Sequence, residues 1–145
     1  MPRRPFVPPA QWTDPRHRRG LAGERAALAY LVACGWEPEA HRFRASGHEI
    51  DLVVRRGRTV AFVEVKTRGS LVWGAPAEAV GWRKRRAIAV AAECWRLRFG
   101  RPEDEYRFDL VSVQRSGAGR WVVDHVSDAW RLDSWLEQNR SRRYY

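Results

Sequence analysis

The apolar run from Thr59 to Lys66 constrains the fold of this chain more than any other feature. Its β-branched and aromatic residues predict a buried β-strand, yet Glu64 and Lys66 stand two positions apart within it. The chain has 27 basic residues, and all except Lys66 and Lys84 are arginines. Because a lysine is a compact donor whose pKa can fall on burial, whereas arginine stays charged, its use beside Glu64 predicts a chemical role for this strand.

Length and charge narrow the class of protein. The 145 residues correspond to one domain, and 27 basic against 17 acidic residues give a net charge of +10. This charge favours a polyanionic partner, DNA before RNA, although an arginine-rich composition could arise without one. No apolar run approaches the roughly 20 residues of a membrane helix, and no secretory signal is visible, so we expect a cytoplasmic protein without a membrane partner.

Three regions follow from the composition along the chain. Residues 1–17 contain most of the eight prolines and predict a flexible or surface-draped arm outside the core. Residues 18–139 form the single domain, and residues 140–145 form a basic tail. Cys34 and Cys94 stand singly in predicted helices, which argues against zinc or a redox pair.

Hydrophobic periodicity and turn residues predict seven main elements. They are a helix over 19–34, strands over 36–43, 48–55 and 58–66, a helix over about 77–99, and strands over 106–114 and 121–126. A short closing helix over 130–138 is also predicted. This order predicts an α/β sandwich around one mixed sheet, with the first three strands antiparallel and the fourth parallel to the third across the long helix.

The hairpin between the second and third strands determines which side chains meet. If Arg56 and Gly57 are its central residues, Glu49 lies opposite Glu64 and Asp51 lies opposite Phe62. Alternation along the strands then puts four polar side chains on one face: Glu49, Asp51, Glu64 and Lys66. Facing carboxylates repel each other, so this register predicts a hard divalent cation, Mg²⁺ or Mn²⁺, between them.

Two helical residues are candidates for the same cluster. Glu24 lies at the edge of the apolar stripe of the first helix, and its alternative role is a first-turn acid that complements the helix dipole. Lys84 lies inside the apolar stripe of the long helix, where it either extends to the edge or meets a buried acid or phosphate. Asp109 is a possible partner for Lys84, although a structural aspartate in a strand is the more ordinary interpretation.

Several linked motifs, spread over residues 19–115, resemble the YraN-like family of bacterial proteins. They are Gly20-x-x-Gly23-Glu24, Gly47-His48-Glu49-Ile50-Asp51-Leu52, Phe62-Val63-Glu64-Val65-Lys66-Thr67-Arg68, Ala79-Val80 with Lys84, and Phe108-Asp109-Leu110-Val111. That family is similar in fold to restriction endonuclease-like nucleases of the PD-(D/E)xK type, including Holliday junction resolvases. The resemblance implies that Asp51 is the motif's Asp, Glu64 and Lys66 its Glu-x-Lys, and Glu24 the helix-one acid; Ile50 replaces the motif's Pro.

The resulting hypothesis is a Mg²⁺-dependent endonuclease that acts on DNA, with junction or branched DNA as the expected substrate and a homodimer as the expected assembly. Asp51, Glu64, the Val65 carbonyl and Glu24 would hold the metal ion, and Lys66 would orient the attacking water. Residues predicted to contact backbone phosphates are Arg55, Arg56, Arg58, Arg68 and Lys84. By resemblance, the products would carry a 5′ phosphate.

The rival hypothesis is a non-catalytic module that binds nucleic acid or protein on a nuclease fold. The eight tryptophans favour it, because an exposed Trp73 or Trp82 could stack on a base or contact a partner. A binding module needs arginine but no carboxylate cage, so Asp51, Glu64 and Lys66 together favour the nuclease.

Overall fold

One five-stranded sheet organises the protein. A computed structural model describes residues 6–13, 18–68 and 81–130. The two α-helices are α1 (Arg18–Ala33) and α2 (Trp82–Phe99). The strands are β1 (Glu37–Ala45), β2 (His48–Arg56), β3 (Thr59–Arg68), β4 (Glu105–Arg115) and β5 (Trp121–Trp130).

The sheet is mixed, as the sequence predicts. Its order is β1-β2-β3-β4-β5, and all neighbours are antiparallel except β3 and β4, which are parallel. The α2 crossover is what permits this parallel pair, since a hairpin can join only antiparallel strands. The predicted α/β sandwich around one mixed sheet is confirmed.

Each face of the sheet packs against one helix. On one face, Leu28 and Leu31 of α1 cluster with Leu52, Val63 and other strand residues. On the other face, a second buried cluster joins α2 to the strands. That cluster contains Ile88, Ala91 and Trp95 of α2 with Val53, Phe62 and Phe108 of the strands. Burial of these apolar side chains drives both layers together.

The start of α2 and the end of β5 differ from the predictions. The long helix begins at Trp82, after the extended residue Gly81, and not near residue 77. Strand β5 continues to Trp130, further than predicted, and the predicted closing helix over 130–138 otherwise lies outside the described residues. Within the described residues, no helix is long and apolar enough to cross a membrane.

The described part of the N-terminal arm packs against the domain. Trp12 is only 5% exposed and belongs to the cluster under α1. Arg25 of α1 anchors this segment by donating to the carbonyls of Pro9 at 3.1 Å and Trp12 at 2.8 Å. The prediction that the arm lies outside the core is therefore wrong for Trp12, because its indole finds an apolar site that composition alone does not reveal.

The β2–β3 hairpin has a different register from the predicted one. Arg56 pairs with Thr59, so Gly57 and Arg58 are the central turn residues. Gly57 has φ +61°, and glycine is the residue that suits a positive φ at the first central position of such a turn. Val53, and not Asp51, therefore lies opposite Phe62. The shift is two residues along the ladder, which preserves the face on which each side chain emerges.

Arg55 is a structural residue and not a free phosphate contact. It is 5% exposed, and its Nε donates to Glu39 at 2.6 Å. Its two terminal nitrogens donate to Asp104 at 2.5 and 2.9 Å, which ties β2 to the loop before β4. The sequence hypothesis assigned Arg55 to nucleic-acid binding because it lies beside the turn, but its side chain is on the inward face of β2.

We predict that Arg55→Ala lowers the free energy of unfolding by about 3 kcal/mol, because it leaves Asp104 and Glu39 without their buried partner. Urea unfolding followed by circular dichroism measures this change. Arg56→Ala removes an exposed guanidinium next to it and serves as the control, with an expected loss below about 1 kcal/mol. Equal effects of both substitutions would contradict the structural role of Arg55.

Candidate active site

The candidate site forms where β2 and β3 separate. Their pairing runs from Arg56↔Thr59 to Leu52↔Val63, and the next residues are Asp51 and Glu64. At this point the Val65 N–H donates to the Asp51 Oδ2 at 2.8 Å. The Asp51 carboxylate thus accepts a hydrogen bond from β3 at the point where β3 separates from β2, and this bond places Asp51 beside Glu64.

Strand β2 changes its facing at Asp51. Ile50 packs in the cluster under α2, whereas Leu52 packs in the cluster under α1. In a regular strand these residues would share a face. The β1–β2 pairing passes from His41↔Leu52 to Phe43↔Ile50, so the residues between them are Arg42 and Asp51, and Arg42 has φ +49°. Because of this local irregularity, the side chains of Arg42 and Asp51 do not follow the regular alternation of a strand.

Glu64 is the most enclosed acid of the cluster. It is 3% exposed, and its Oε1 lies 3.8 Å from the Lys66 Nζ and 3.5 Å from the Lys84 Nζ. Its Oε2 is buried and has no hydrogen-bond partner among the described residues. A buried carboxylate oxygen without a donor is costly, so this atom is suited to accept a bond from a ligand or cation.

The surroundings of Asp51 disfavour the ionised form of its carboxyl group. Burial and the neighbouring charge of Glu64 raise the pKa of the Asp51 carboxyl well above its ordinary value, and the charge of Glu24 adds to this effect. The Val65 N–H opposes the shift but does not offset it. A cation bound between these carboxylates would favour the ionised form of Asp51.

Glu24 is near this pair but has its own partners. Its carboxylate accepts from the Arg42 Nε at 3.1 Å and Nη2 at 2.9 Å, and the His41 Nε2 lies 3.6 Å away. Burial raises the pKa of Glu24, but interactions with His41 and Arg42 outweigh burial and lower it. Because α1 begins at Arg18, Glu24 lies beyond the first turn, and the helix-dipole alternative is wrong.

A close helix contact sets the position of Glu24 over the sheet. A Cβ atom on the preceding residue, Gly23, would lie 2.0 Å from the Thr67 Oγ1 of β3. Only glycine lets α1 approach β3 this closely. The close approach of α1 to the sheet therefore depends on a glycine at position 23.

Two secondary candidates lie away from the cluster. Glu49 pairs with Arg44 at 2.6 Å on the surface, because the change of facing at Asp51 removes it from the face of Glu64. Asp109 is fully buried and accepts from Arg107 at 2.9 Å, and His125 lies 2.7 Å from it. The acid that meets Lys84 is Glu64, and not Asp109.

The arginines predicted to contact phosphates differ in whether another residue of the protein already engages them. Arg56 lies over the Trp36 ring at 4.4 Å, and the exposed Arg58 pairs with the exposed Glu105 at 3.0 Å. Arg68 has a buried Nε with no hydrogen-bond partner in the described part of the chain. Trp82 is 57% exposed at the start of α2, while Trp73 lies outside the described residues.

The carboxylates present suit a hard cation with an incomplete protein shell. Across residues 6–13, 18–68 and 81–130, no three His, Cys, Asp or Glu side chains are grouped so that they could hold one metal ion. Mg²⁺ is commonly held by one or two carboxylates, with water and substrate phosphate completing its octahedron. Asp51 and the unpartnered Glu64 Oε2 match that donor set. Glu24, engaged by Arg42, does not add a ready third ligand.

Sequence reasoning missed Arg42 and His41, the two residues that hold Glu24. The first strand is only weakly patterned, and Arg42 reads as one of many surface arginines. Its contact depends on a positive φ and on the approach of α1, and neither leaves a signal in the order of residues.

Comparison with known proteins places this geometry in a family. The sequence model of the uncharacterised protein family UPF0102 matches residues 23–113. A UPF0102 protein of Methylorubrum populi is 46% identical over 117 residues, which are 80% of this chain and 89% of the relative. One from Chlorobium phaeobacteroides is 35% identical over 126 residues, which are 83% of this chain and 98% of the relative. The resemblance to the YraN-like family is confirmed.

We predict that Asp51→Asn stabilises the metal-free protein at neutral pH. A raised carboxyl pKa means that folding loses stability as the pH rises from the normal carboxyl range through the folded pKa, and asparagine removes this loss. The gain at about pH 7.5 should be on the order of 1 kcal/mol or more, since one pKa unit corresponds to about 1.4 kcal/mol.

Urea unfolding with EDTA across pH tests this expectation. The difference between the variant and the parent should close below about pH 4, where the carboxyl is protonated in both the folded and the unfolded state. Glu49→Gln, on the same strand but paired at the surface, is the control and should show no such pH dependence. A less stable Asp51→Asn protein at neutral pH would contradict the electrostatic assignment.

Proposed function

The chain belongs to the UPF0102 family, and we propose that it is a metal-dependent nuclease that hydrolyses phosphodiester bonds in DNA. One observation carries the proposal. Asp51, with its raised pKa, lies beside a Glu64 oxygen that is buried without a partner, and two lysines flank the other oxygen of the same carboxylate. This combination of paired acids and the only two lysines is what phosphoryl chemistry at a metal ion requires.

The metal ion would be held by Asp51 and by the Oε2 of Glu64, with the predicted Val65 carbonyl beside them. Mg²⁺ or Mn²⁺ bound there would polarise the phosphate and lower the pKa of a water molecule. Arg42 holds the Glu24 carboxylate in place, and Glu24 shapes the charge at the site through its effect on the Asp51 pKa. We assign Glu24 this supporting role, with metal ligation possible only if Arg42 releases it.

The two lysines have distinct positions in the proposed chemistry. Lys66 is on the same strand as Glu64, and its ammonium can orient the attacking water or steady the charge on the phosphate. Lys84 enters from α2 with a side chain that is 45% exposed, so it can reach the incoming phosphate while it neutralises Glu64. Both functions need a compact donor rather than the wide fork of arginine.

The net charge of +10 supports DNA as the ligand, since phosphate contacts dominate the affinity of nucleic-acid-binding proteins. Branched or junction DNA is the proposed substrate, by resemblance, and a homodimer would place two sites against two strands. We propose that this activity operates in the cytoplasm.

The second candidate function is binding without cleavage. Trp82, 57% exposed and two positions before Lys84, is the observation that favours it, because exposed aromatic rings stack on unpaired bases or contact partner proteins. In that case Asp51 and Glu64 would have no catalytic role, and their substitution would leave binding intact.

Cleavage of labelled DNA separates the two candidates. Junction, flap, single-stranded and duplex DNA are incubated with Mg²⁺ or Mn²⁺, with Glu64→Gln, Lys66→Ala and the control Glu49→Gln. We predict that the first two substitutions lower the cleavage rate at least about 100-fold, since they remove a metal ligand and a transition-state cation, and that Glu49→Gln has less than about a twofold effect. Cleavage that survives both site substitutions would refute the assignment, and binding without cleavage under every metal would favour the module.

Thermal unfolding gives a readout that is independent of DNA. Mg²⁺ at a hundred times its dissociation constant should stabilise the parent by about 2.7 kcal/mol, because only the folded state has the site. Asp51→Asn should remove this stabilisation, while Glu49→Gln should keep it. An equal Mg²⁺ effect on all three proteins would place the ion elsewhere.

A further inference from the structure

A cavity of about 760 Å³ lies along β1 and is lined in part by His41 and Arg42, the residues that hold Glu24. Four parts of the chain line it: the segment 6–13, Leu21 of α1, strand β1 and the C-terminal half of α2. We call it the edge pocket. Among the strands of the described residues, β1 has a neighbour on one side only, so this sheet leaves its outer edge open. The volume is that of a pocket for a ligand of nucleotide size.

Aromatic rings form the walls of the edge pocket. Phe43 of β1 meets Phe99 of α2 edge-on at 6.3 Å, and Trp95 lies 5.8 Å from Phe99. On the other side, the Trp12 ring stacks on His41 with centroids 3.4 Å apart. Trp12 and Trp95 are buried, so the half-buried rings of Phe43 and Phe99 are the ones suited to a flat ligand, because every nucleobase has a face that stacks on an aromatic ring.

The polar groups of the edge pocket are mainly cationic. Arg98 is exposed on the last turn of α2, and Arg44 has a side chain that is 77% exposed and pairs with Glu49 at 2.6 Å. Glu39, the one acid among the described residues of the lining, already accepts from Arg55 at 2.6 Å. Arg98 therefore suits an anionic group such as a phosphate next to a base, and Arg44 can join it by exchanging the surface carboxylate of Glu49 for the phosphate.

Arg42 connects the edge pocket to the candidate active site. It contributes to the lining and also binds Glu24, whose charge acts on Asp51. A strand that places one nucleotide in the edge pocket would therefore pass close to the carboxylates.

A peptide added to β1 as a further strand fits this edge less well. The β1 register shifts between Pro38 and Ala40, and Arg42 has φ +49°. Proline lacks the N–H that an added strand would use, and both irregularities interrupt a regular ladder.

We infer that the edge pocket binds an unpaired nucleotide of the DNA substrate, with the base against the aromatic walls and its phosphates at Arg44 and Arg98. The inference rests on the proposed function only in taking DNA as the ligand. It makes the enzyme selective for DNA with a single-stranded segment next to the cleaved bond.

Binding without cleavage tests the inference. In EDTA, fluorescence anisotropy compares a blunt duplex with the same duplex carrying a short single-stranded overhang. The proteins are the parent, the double variant Arg44→Ala with Arg98→Ala, the ring variant Phe43→Leu, and Arg120→Ala in the exposed β4–β5 turn. Urea midpoints confirm that each variant is folded.

We expect the parent to prefer the overhang DNA by at least about tenfold, since stacking of one base contributes about 1–3 kcal/mol. Phe43→Leu should reduce this preference with little change for blunt duplex. The double arginine variant should also lower the salt slope for overhang DNA by about 2, whereas Arg120→Ala should preserve the preference.

The nucleotide assignment would be overturned if the pocket variants lost affinity equally for overhang and blunt DNA, or if neither variant lost any affinity. It would also be overturned if the parent showed no preference for overhang DNA, and a peptide would then be the remaining candidate occupant. The two proposals fail differently. If the nuclease proposal is wrong, overhang preference persists without Mg²⁺-dependent cleavage. If the pocket inference is wrong, cleavage persists without overhang preference.

Discussion

The hydrogen bond from the Val65 N–H to the Asp51 carboxylate is the interaction on which the candidate site depends. It forms where the β2–β3 ladder ends, while β3 continues in parallel pairing with β4 through Val65↔Val111. A strand N–H at such a fork has lost its backbone partner, and an unpaired buried N–H is costly. The carboxylate satisfies it, and in doing so is held beside Glu64 despite the repulsion between the two acids.

Charge balance around this fork comes from both layers of the sandwich. Glu24 and its partner Arg42 approach from the α1 side, whereas Lys84 reaches Glu64 from α2. Glu24 is neutralised by a two-point contact and Glu64 by two lysines, whereas Asp51 accepts from a neutral N–H and lies beside the charge of Glu64. Asp51 is thus the least compensated acid, which explains why burial and the charge of Glu64 raise its pKa well above the ordinary value.

The candidate active site and the edge pocket have one residue in common, Arg42. Arg42 satisfies Glu24 and at the same time lines the cavity along β1, so the two features meet at one side chain. Most other arginines near the predicted DNA surface are occupied: Arg55 is buried in a structural network, and Arg56 lies over Trp36. A chain with a net charge of +10 therefore uses part of its positive charge to hold its own fold.

The sheet was predictable from the sequence because apolar runs, turn glycines and the long crossover helix are local signals. The hairpin register was not, since both Arg56-Gly57 and Gly57-Arg58 are plausible turn centres and only the φ of Gly57 within the packed sheet decides between them. The same limit applies to Glu49, whose predicted place beside Glu64 assumed regular alternation through Asp51. The error of two residues kept Asp51 and Glu64 on one face because side chains repeat every second residue.

By itself, the sequence determined the mixed α/β sandwich, the family, and the association of Asp51, Glu64 and Lys66, because these follow from strand periodicity and short-range motifs. Only the tertiary structure decided that Lys84 meets Glu64, that Arg42 holds Glu24, and that Arg55 and Asp109 are structural. These contacts join residues distant in the chain, and each depends on which sheet face a helix covers and on a backbone irregularity at Arg42. Such pairings are products of packing in three dimensions, and periodicity along one strand carries no information about them.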